Sequence, residues 1–199
     1  MLSVISVPPQ ELVAIVIATS FAAGLNVSAT IATLGVLARL GVVALPEPLA
    51  PLANWWVIAA SGTAFIVEFL VDKIPIVDLL WNALQTFLRV PAGALLAYGA
   101  ASPLSPGKQL IAAGLGGVIA LIAHSGKSAA RTAVTASPEP VSNLALSLGE
   151  DAFAIFITWC ATQYPYIAAA IVMTMLIVIV VLIRTVVRAS RALMRRTSG

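Results

Sequence analysis

Charge is what this chain has least of. Only 10% of its 199 residues are Asp, Glu, Lys or Arg, against 60% that are apolar. A soluble domain carries about 25% charged residues. The polar side chains cannot cover a water-exposed globule, so lipid is expected to solvate much of the surface. Cysteine is almost missing too. Cys160 stands alone, which excludes an internal disulfide, and it lies in an apolar segment as a small buried hydrophobe would. His124 is the single histidine, so a Cys/His metal centre is not expected. Zinc spacings, a nucleotide-phosphate loop, a nucleophile elbow and a catalytic triad are also absent. No metal and no cofactor are expected, and an enzyme is the less favoured class. Period-two alternation is missing, which argues against a β-barrel. The N-terminus lacks the basic stretch and cleavage site of a secretory signal, so Met1 is expected to be retained.

Long apolar runs are abundant. Residues 166–187 read YIAAAIVMTMLIVIVVLIRTVV, and Arg188, Arg191, Arg195 and Arg196 follow. About 20 residues at 1.5 Å per residue cover the roughly 30 Å hydrocarbon core of a bilayer. Of the eleven cations, the five from Arg184 onward crowd this end, and such a cluster marks the cytoplasmic side. The net charge of +3 is therefore a topology signal and not a nucleic-acid footprint. An alanine-rich, lysine-poor composition fits a GC-rich bacterium, and the expected location is its inner membrane, with the arginine cluster placing the C-terminus on the cytoplasmic side. Further apolar segments cover residues 11–25, 27–44, 52–71, 76–101, 109–123 and 144–163, with an amphipathic stretch at 124–136. Prolines mark the joints at Pro46, Pro48, Pro51, Pro75, Pro103, Pro106, Pro138, Pro140 and Pro165. Since lipid tolerates only helices or closed barrels, the expected fold is all-α. It is a polytopic transmembrane helical bundle of about six spans, some of them short or broken.

The two halves resemble each other. Leu45-Pro-Glu-Pro48 matches Ser137-Pro-Glu-Pro140, and each follows an apolar stretch interrupted by polar residues: Asn26, Ser28 and Thr30, then His124, Ser125 and Lys127. Each precedes a span ending at a proline, Pro75 or Pro165, and then a segment carrying Arg89 or Arg184. This predicts an internal two-fold repeat: residues 1–101, a polar linker at 102–108, a second half at 109–188, and a basic tail at 189–199. Transporters often place their site between such repeats.

Polar residues gather in three places. In the first, Glu68 and Asp72 share a helix face, Lys73 and Pro75 break the helix, and Asp78 opens the next one. Asp78, Asn82, Gln85 and Arg89 then form one stripe on an apolar helix, with Trp81 a candidate interfacial anchor. In the second, His124, Lys127 and Arg131 fall on one face, suited to a phosphate, a lipid headgroup or the acidic residues. In the third, Glu150 and Asp151 precede an apolar segment, and Ser147 with Glu150 has capping-box spacing. An ionised group at mid-bilayer costs about 2.5–3.5 kcal/mol even on the lenient scale. Five facing lipid would cost on the order of 12–17 kcal/mol, rivalling the net stability of a fold. These groups must therefore pair, line a wet cavity or sit at the headgroups. Gly114, Gly116 and Gly117 with Ala113 give a small-residue face for close helix contact or dimerisation. Asn26-Val-Ser28 is a glycosylation sequon in form, but between apolar runs it reads as a helix break whose freed backbone groups could line a site.

These stretches carry a resemblance. Gly24-Leu-Asn26 with Ala38-Arg39-Leu-Gly41, Glu68 through Asp78, Arg89-Val-Pro-Ala-Gly93, His124-Ser-Gly-Lys127 with Arg131, and Ser137 through Asp151 resemble the bacterial membrane-protein family called domain of unknown function 4126. The likeness covers nearly the whole chain. It lends no activity, but it implies that the three polar clusters form one site: Asn26, Glu68, Asp72, Lys73, Asp78, Arg89, His124, Lys127, Arg131, Glu150 and Asp151. The leading expectation is a small transporter or channel for an ion or small anionic solute. The alternatives are a structural subunit of a larger membrane complex, and a lipid-headgroup-binding flippase or enzyme. The expected partners are the bilayer, an anionic lipid or small solute, and further copies or other chains, with no nucleic acid.

Overall fold

A computed structural model of the chain describes residues 8–71, 75–135 and 140–197. Seven α-helices account for most of them: α1 Pro9–Leu25, α2 Val27–Arg39, α3 Trp55–Val71, α4 Pro75–Ala100, α5 Pro106–Thr135, α6 Pro140–Gln163 and α7 Pro165–Thr197. A 3-10 helix, Glu47–Ala53, precedes α3, and there is no strand among the described residues. Of the nine joint prolines, Pro138 lies outside the described residues and four stand first in an α-helix. Pro9, Pro75, Pro106, Pro140 and Pro165 each open a helix, where the missing N–H costs nothing and the fixed φ is already helical. Residues 109–123 and 124–136, read from the sequence as separate segments, belong to the single helix α5 as far as Thr135.

Polarity is arranged inside out. Leu84, Phe87, Leu88, Leu110, Ile111, Ile177 and Leu182 are exposed, while Glu68, Arg89, Lys127, Arg131 and Asp151 are buried. Water would reverse this order, and a hydrocarbon solvent explains it. By length and apolar character three helices qualify as membrane spans among the described residues: Pro106–Arg131, Leu144–Gln163 and Pro165–Thr185. A fourth is formed if Glu47–Ala53 and Trp55–Val71, bent by 68°, count as one. The protein is thus an all-helical membrane protein, and the figure of about six spans stays an expectation from sequence.

Helices α4 and α5 run antiparallel in close contact. A Cβ on Gly93 would lie 2.6 Å from the Ala120 Cβ, and one on Gly116 would lie 2.7 Å from the Gly93 carbonyl and 2.8 Å from Ser20 Oγ. Helix α1 closes on the same seam, with Ser20 Oγ donating to the Gly93 carbonyl at 3.3 Å. Gly116 and Gly117 of the small-residue face thus serve packing within the chain, whereas Gly114 meets nothing within 4 Å.

Helices α1 and α2 form a doubled-back pair. Were they collinear, Val42 would lie roughly 40 Å from Glu11 at 1.5 Å per residue. Instead Glu11, Leu12, Val42, Val43 and Leu45 line one cavity, and Ala23, Val27, Leu34 and Leu96 pack into one apolar cluster. The pair therefore enters the bundle and returns to the same end, with Asn26 at its tip. That end also holds Ala100 of α4, Tyr164 after α6 and Tyr166 of α7. Exposed Trp55, Trp56, Tyr164 and Tyr166 decorate it, as aromatic side chains do at a membrane surface. Arg39 stacks on the Trp55 ring at 5.3 Å, tying the end of α2 to the start of α3. Helix α7 runs from this aromatic end towards the opposite, basic end, where Arg184 and Arg188 lie.

Candidate functional site

The tip of the α1–α2 pair is where the buried charges meet. Asn26 has extended backbone (φ −153°, ψ 103°), which ends α1 and starts α2. Its side chain holds both sides of the break. The Oδ1 atom accepts from the Ala29 N–H at 2.9 Å, capping α2. The Nδ2 group donates to Asp151 Oδ1 of α6 at 2.9 Å. On the other side of the break, the carbonyl of Leu25 accepts from Lys127 Nζ of α5 at 3.0 Å. The two helix ends thus receive groups of opposite, complementary sign. The carbonyl end of α1 meets an amine, and the amide end of α2 meets a side-chain oxygen whose own amide reaches a carboxylate.

Beyond the tip the network crosses four helices. Lys127 Nζ lies 3.4 Å from Glu150 Oε2 and 3.8 Å from Glu68 Oε1 of α3. Arg131 Nε and Nη2 both reach Glu150 Oε2, at 3.3 and 3.2 Å. Arg89 of α4 uses all three guanidinium nitrogens. Nη2 pairs with Glu68 Oε1, Nε donates to Gln85 Oε1 at 3.2 Å, and Nη1 donates to His124 Nδ1 at 2.9 Å. Because a guanidinium can only donate, Nδ1 must present its lone pair and the ring proton sits on Nε2. That N–H then donates to Thr86 Oγ1 at 2.7 Å. The orientation of His124 is thereby fixed from both sides.

Burial is nearly complete. The side chains of Glu68, Arg89 and Lys127 are at most 1% exposed, and Glu150, the most open, reaches 10%. Three carboxylates (Glu68, Glu150, Asp151) face three basic side chains (Arg89, Lys127, Arg131) among the described residues. This balance lets the group exist away from water.

The structure brings together eight of the eleven residues singled out from sequence: Asn26, Glu68, Arg89, His124, Lys127, Arg131, Glu150 and Asp151. Asp72 and Lys73 lie outside the described residues, as do the side chains of Asp78 and Asn82. The capping-box reading of Ser147 and Glu150 is corrected. Helix α6 starts at Pro140, so Ser147 is interior and buried, and Glu150 is engaged by Lys127 and Arg131. Thr86 and the Leu25 carbonyl were not singled out. Thr86 could have been found three residues before Arg89 on the same helix face. Gln85 was recognised in the stripe but not assigned to the site.

The chain belongs to the family described as Domain of unknown function (DUF4126), whose model matches residues 13–185. That stretch includes every residue of the network. No curated protein and no solved structure matches the chain.

Proposed function

We propose that this member of the DUF4126 family is a small transporter of the bacterial inner membrane, with a cytoplasmic C-terminus, that moves an ion or small solute at the tip of the α1–α2 pair. One observation carries the reading: two half-helices end inside the bundle against a buried network of acidic and basic side chains. Ion pairs of this kind are poor stabilising devices, because apolar side chains of the same volume do as well or better. In a membrane, buried ionisable groups mark ion and solute routes, and interrupted helices supply the backbone ends that hold the cargo.

The direction of the helices supports the internal repeat. Helices α2, α3 and α4 point to the aromatic, basic and aromatic ends in turn. Their counterparts in the sequence match are the C-terminal part of α5, then α6 and α7, which point to the basic, aromatic and basic ends. Opposed directions are what an inverted-topology repeat requires. Among the described residues the charges of the network balance and favour neither sign of cargo, so the proposed cargo is an ion or small solute of either sign. The headgroup reading of His124, Lys127 and Arg131 loses ground because their donors engage Thr86, Leu25 and Glu150 inside the protein.

The test is flux into proteoliposomes, measured for protons, potassium, sodium, chloride and phosphate. Transport of one of these above empty vesicles, abolished by Lys127→Met, is expected. Flux equal to empty vesicles across the set overturns the reading, and purification from membranes with partner chains at fixed stoichiometry would favour the accessory-subunit alternative.

A further inference from the structure

The aromatic end of the bundle is also hollow. A cavity of about 690 Å³ opens there between the start of α1, the segment after α2, the end of α4 and the α6–α7 joint. The volume lies within the roughly 300–1,000 Å³ of pockets that hold organic ligands. Its walls are mostly aliphatic, with Leu12, Ile15, Leu34, Leu49 and Leu96 among them. Leu34 and Leu96 also belong to the apolar cluster with Ala23 and Val27, so this layer separates the cavity from the charged network at Asn26.

Glu11 is the sole Asp, Glu, Lys, Arg or His among the lining residues, which also include Tyr164 and Tyr166. Glu11 sits in the first turn of α1, where the helix end favours a carboxylate. That accounts for Glu11 as a helix residue but not for an organic-sized cavity beside it. A carboxylate in a cavity wall attracts positive charge and repels negative, and tyrosine rings lining the same cavity are able to add to that attraction. A small hydrated cation would leave the aliphatic walls wet. A ligand with an apolar body removes that water as well.

We infer that this cavity binds a lipophilic organic cation, its positive centre at Glu11 and the tyrosines and its apolar body against Ile15, Leu34 and Leu96. The site is independent of the transport reading, since binding at Glu11 requires no flux through Asn26.

The test is equilibrium dialysis of the purified protein in detergent against tetraphenylphosphonium, with tetraphenylborate as the anion of equal shape. Saturable binding of the cation is expected, at least tenfold tighter than the anion. Glu11→Gln should remove most of that preference. Ile15→Trp, which fills the cavity and keeps the carboxylate, should remove binding of both. Thermal unfolding of each variant establishes that it is folded. Equal affinity for the two ions, a preference unchanged in Glu11→Gln, or the absence of saturable binding to the wild-type protein would each overturn the assignment.

Discussion

Lys127 Nζ donates to the backbone carbonyl of Leu25 at 3.0 Å, joining residues 102 positions apart in the chain. The same amine lies between the carboxylates of Glu150 and Glu68. It therefore holds the broken end of α1 and balances two buried acids. Lys127→Met would keep the volume and remove both roles, leaving acids with fewer partners. Removing one member of a buried pair costs about 3–5 kcal/mol, so a clear fall in thermal stability in detergent is expected. The Lys127→Met, Glu150→Gln pair should lose less than the sum of its single variants, because each single change already breaks the same contact. Strict additivity would show that the two residues are not coupled.

Asn26 and Asp151 offer a sharper exchange. The amide of Asn26 donates to Asp151 Oδ1, while its oxygen caps α2. Asn26→Asp would retain an oxygen for the cap, since Asp and Asn are equally good N-caps. It would also set two carboxylates against each other. Asn26→Asp alone should therefore destabilise strongly, and Asp151→Asn alone less so. The double exchange should recover most of the loss, because the amide then carried on α6 can donate to the carboxylate then carried at the tip. Unfolding midpoints of the three variants decide the matter, and a double variant no better than Asn26→Asp would contradict the geometry.

Two glycines in the same protein should respond in opposite ways to alanine. A Cβ at Gly24 would lie 2.7 Å from the Ala123 Cβ and 2.8 Å from the Ala120 Cα, so α1 and α5 would have to part. Gly114, also helical, meets nothing within 4 Å. Gly24→Ala is expected to cost about 1–3 kcal/mol through overpacking. Gly114→Ala is expected to gain up to about 1 kcal/mol from helix propensity. Denaturation midpoints that fall together for both would show that α1 and α5 are not in the described contact.

Sequence revealed the site better than the path of the chain. Charged side chains in an apolar segment announce themselves, because lipid penalises them wherever they are not paired. That logic collected Glu68, Arg89, Lys127, Arg131, Glu150 and Asp151, and the break at Asn26 was legible from a polar residue between two apolar runs. Three things were not. The return of α2 to the aromatic end depends on what it packs against, Leu96 and the Leu52 carbonyl beside Gly35, and those partners are distant in sequence. The Leu25 carbonyl has no side-chain signature, since every residue carries one. The Ser147–Glu150 spacing fits a cap, but the pattern does not say where a helix begins, and Pro140 had already opened α6 seven residues earlier.

The doubled-back pair itself can be tested by labelling from each side of the membrane. In a Cys160→Ala background, single cysteines would be placed at exposed Gln10, Val42 and Arg188. Cys160 is buried, so its removal is expected to leave the fold in place. If α1 enters and α2 returns, Gln10→Cys and Val42→Cys react with a membrane-impermeant maleimide from one side and Arg188→Cys from the other. A fourth cysteine at Ser28, buried near the tip, should stay unlabelled from either side until detergent and denaturant are added. If α2 instead ran on across the bilayer, Gln10 and Val42 would label from opposite sides. In that case Leu25 and Asn26 would be the middle of one kinked span and not a tip, and a transport site proposed there would lose the observation it rests on.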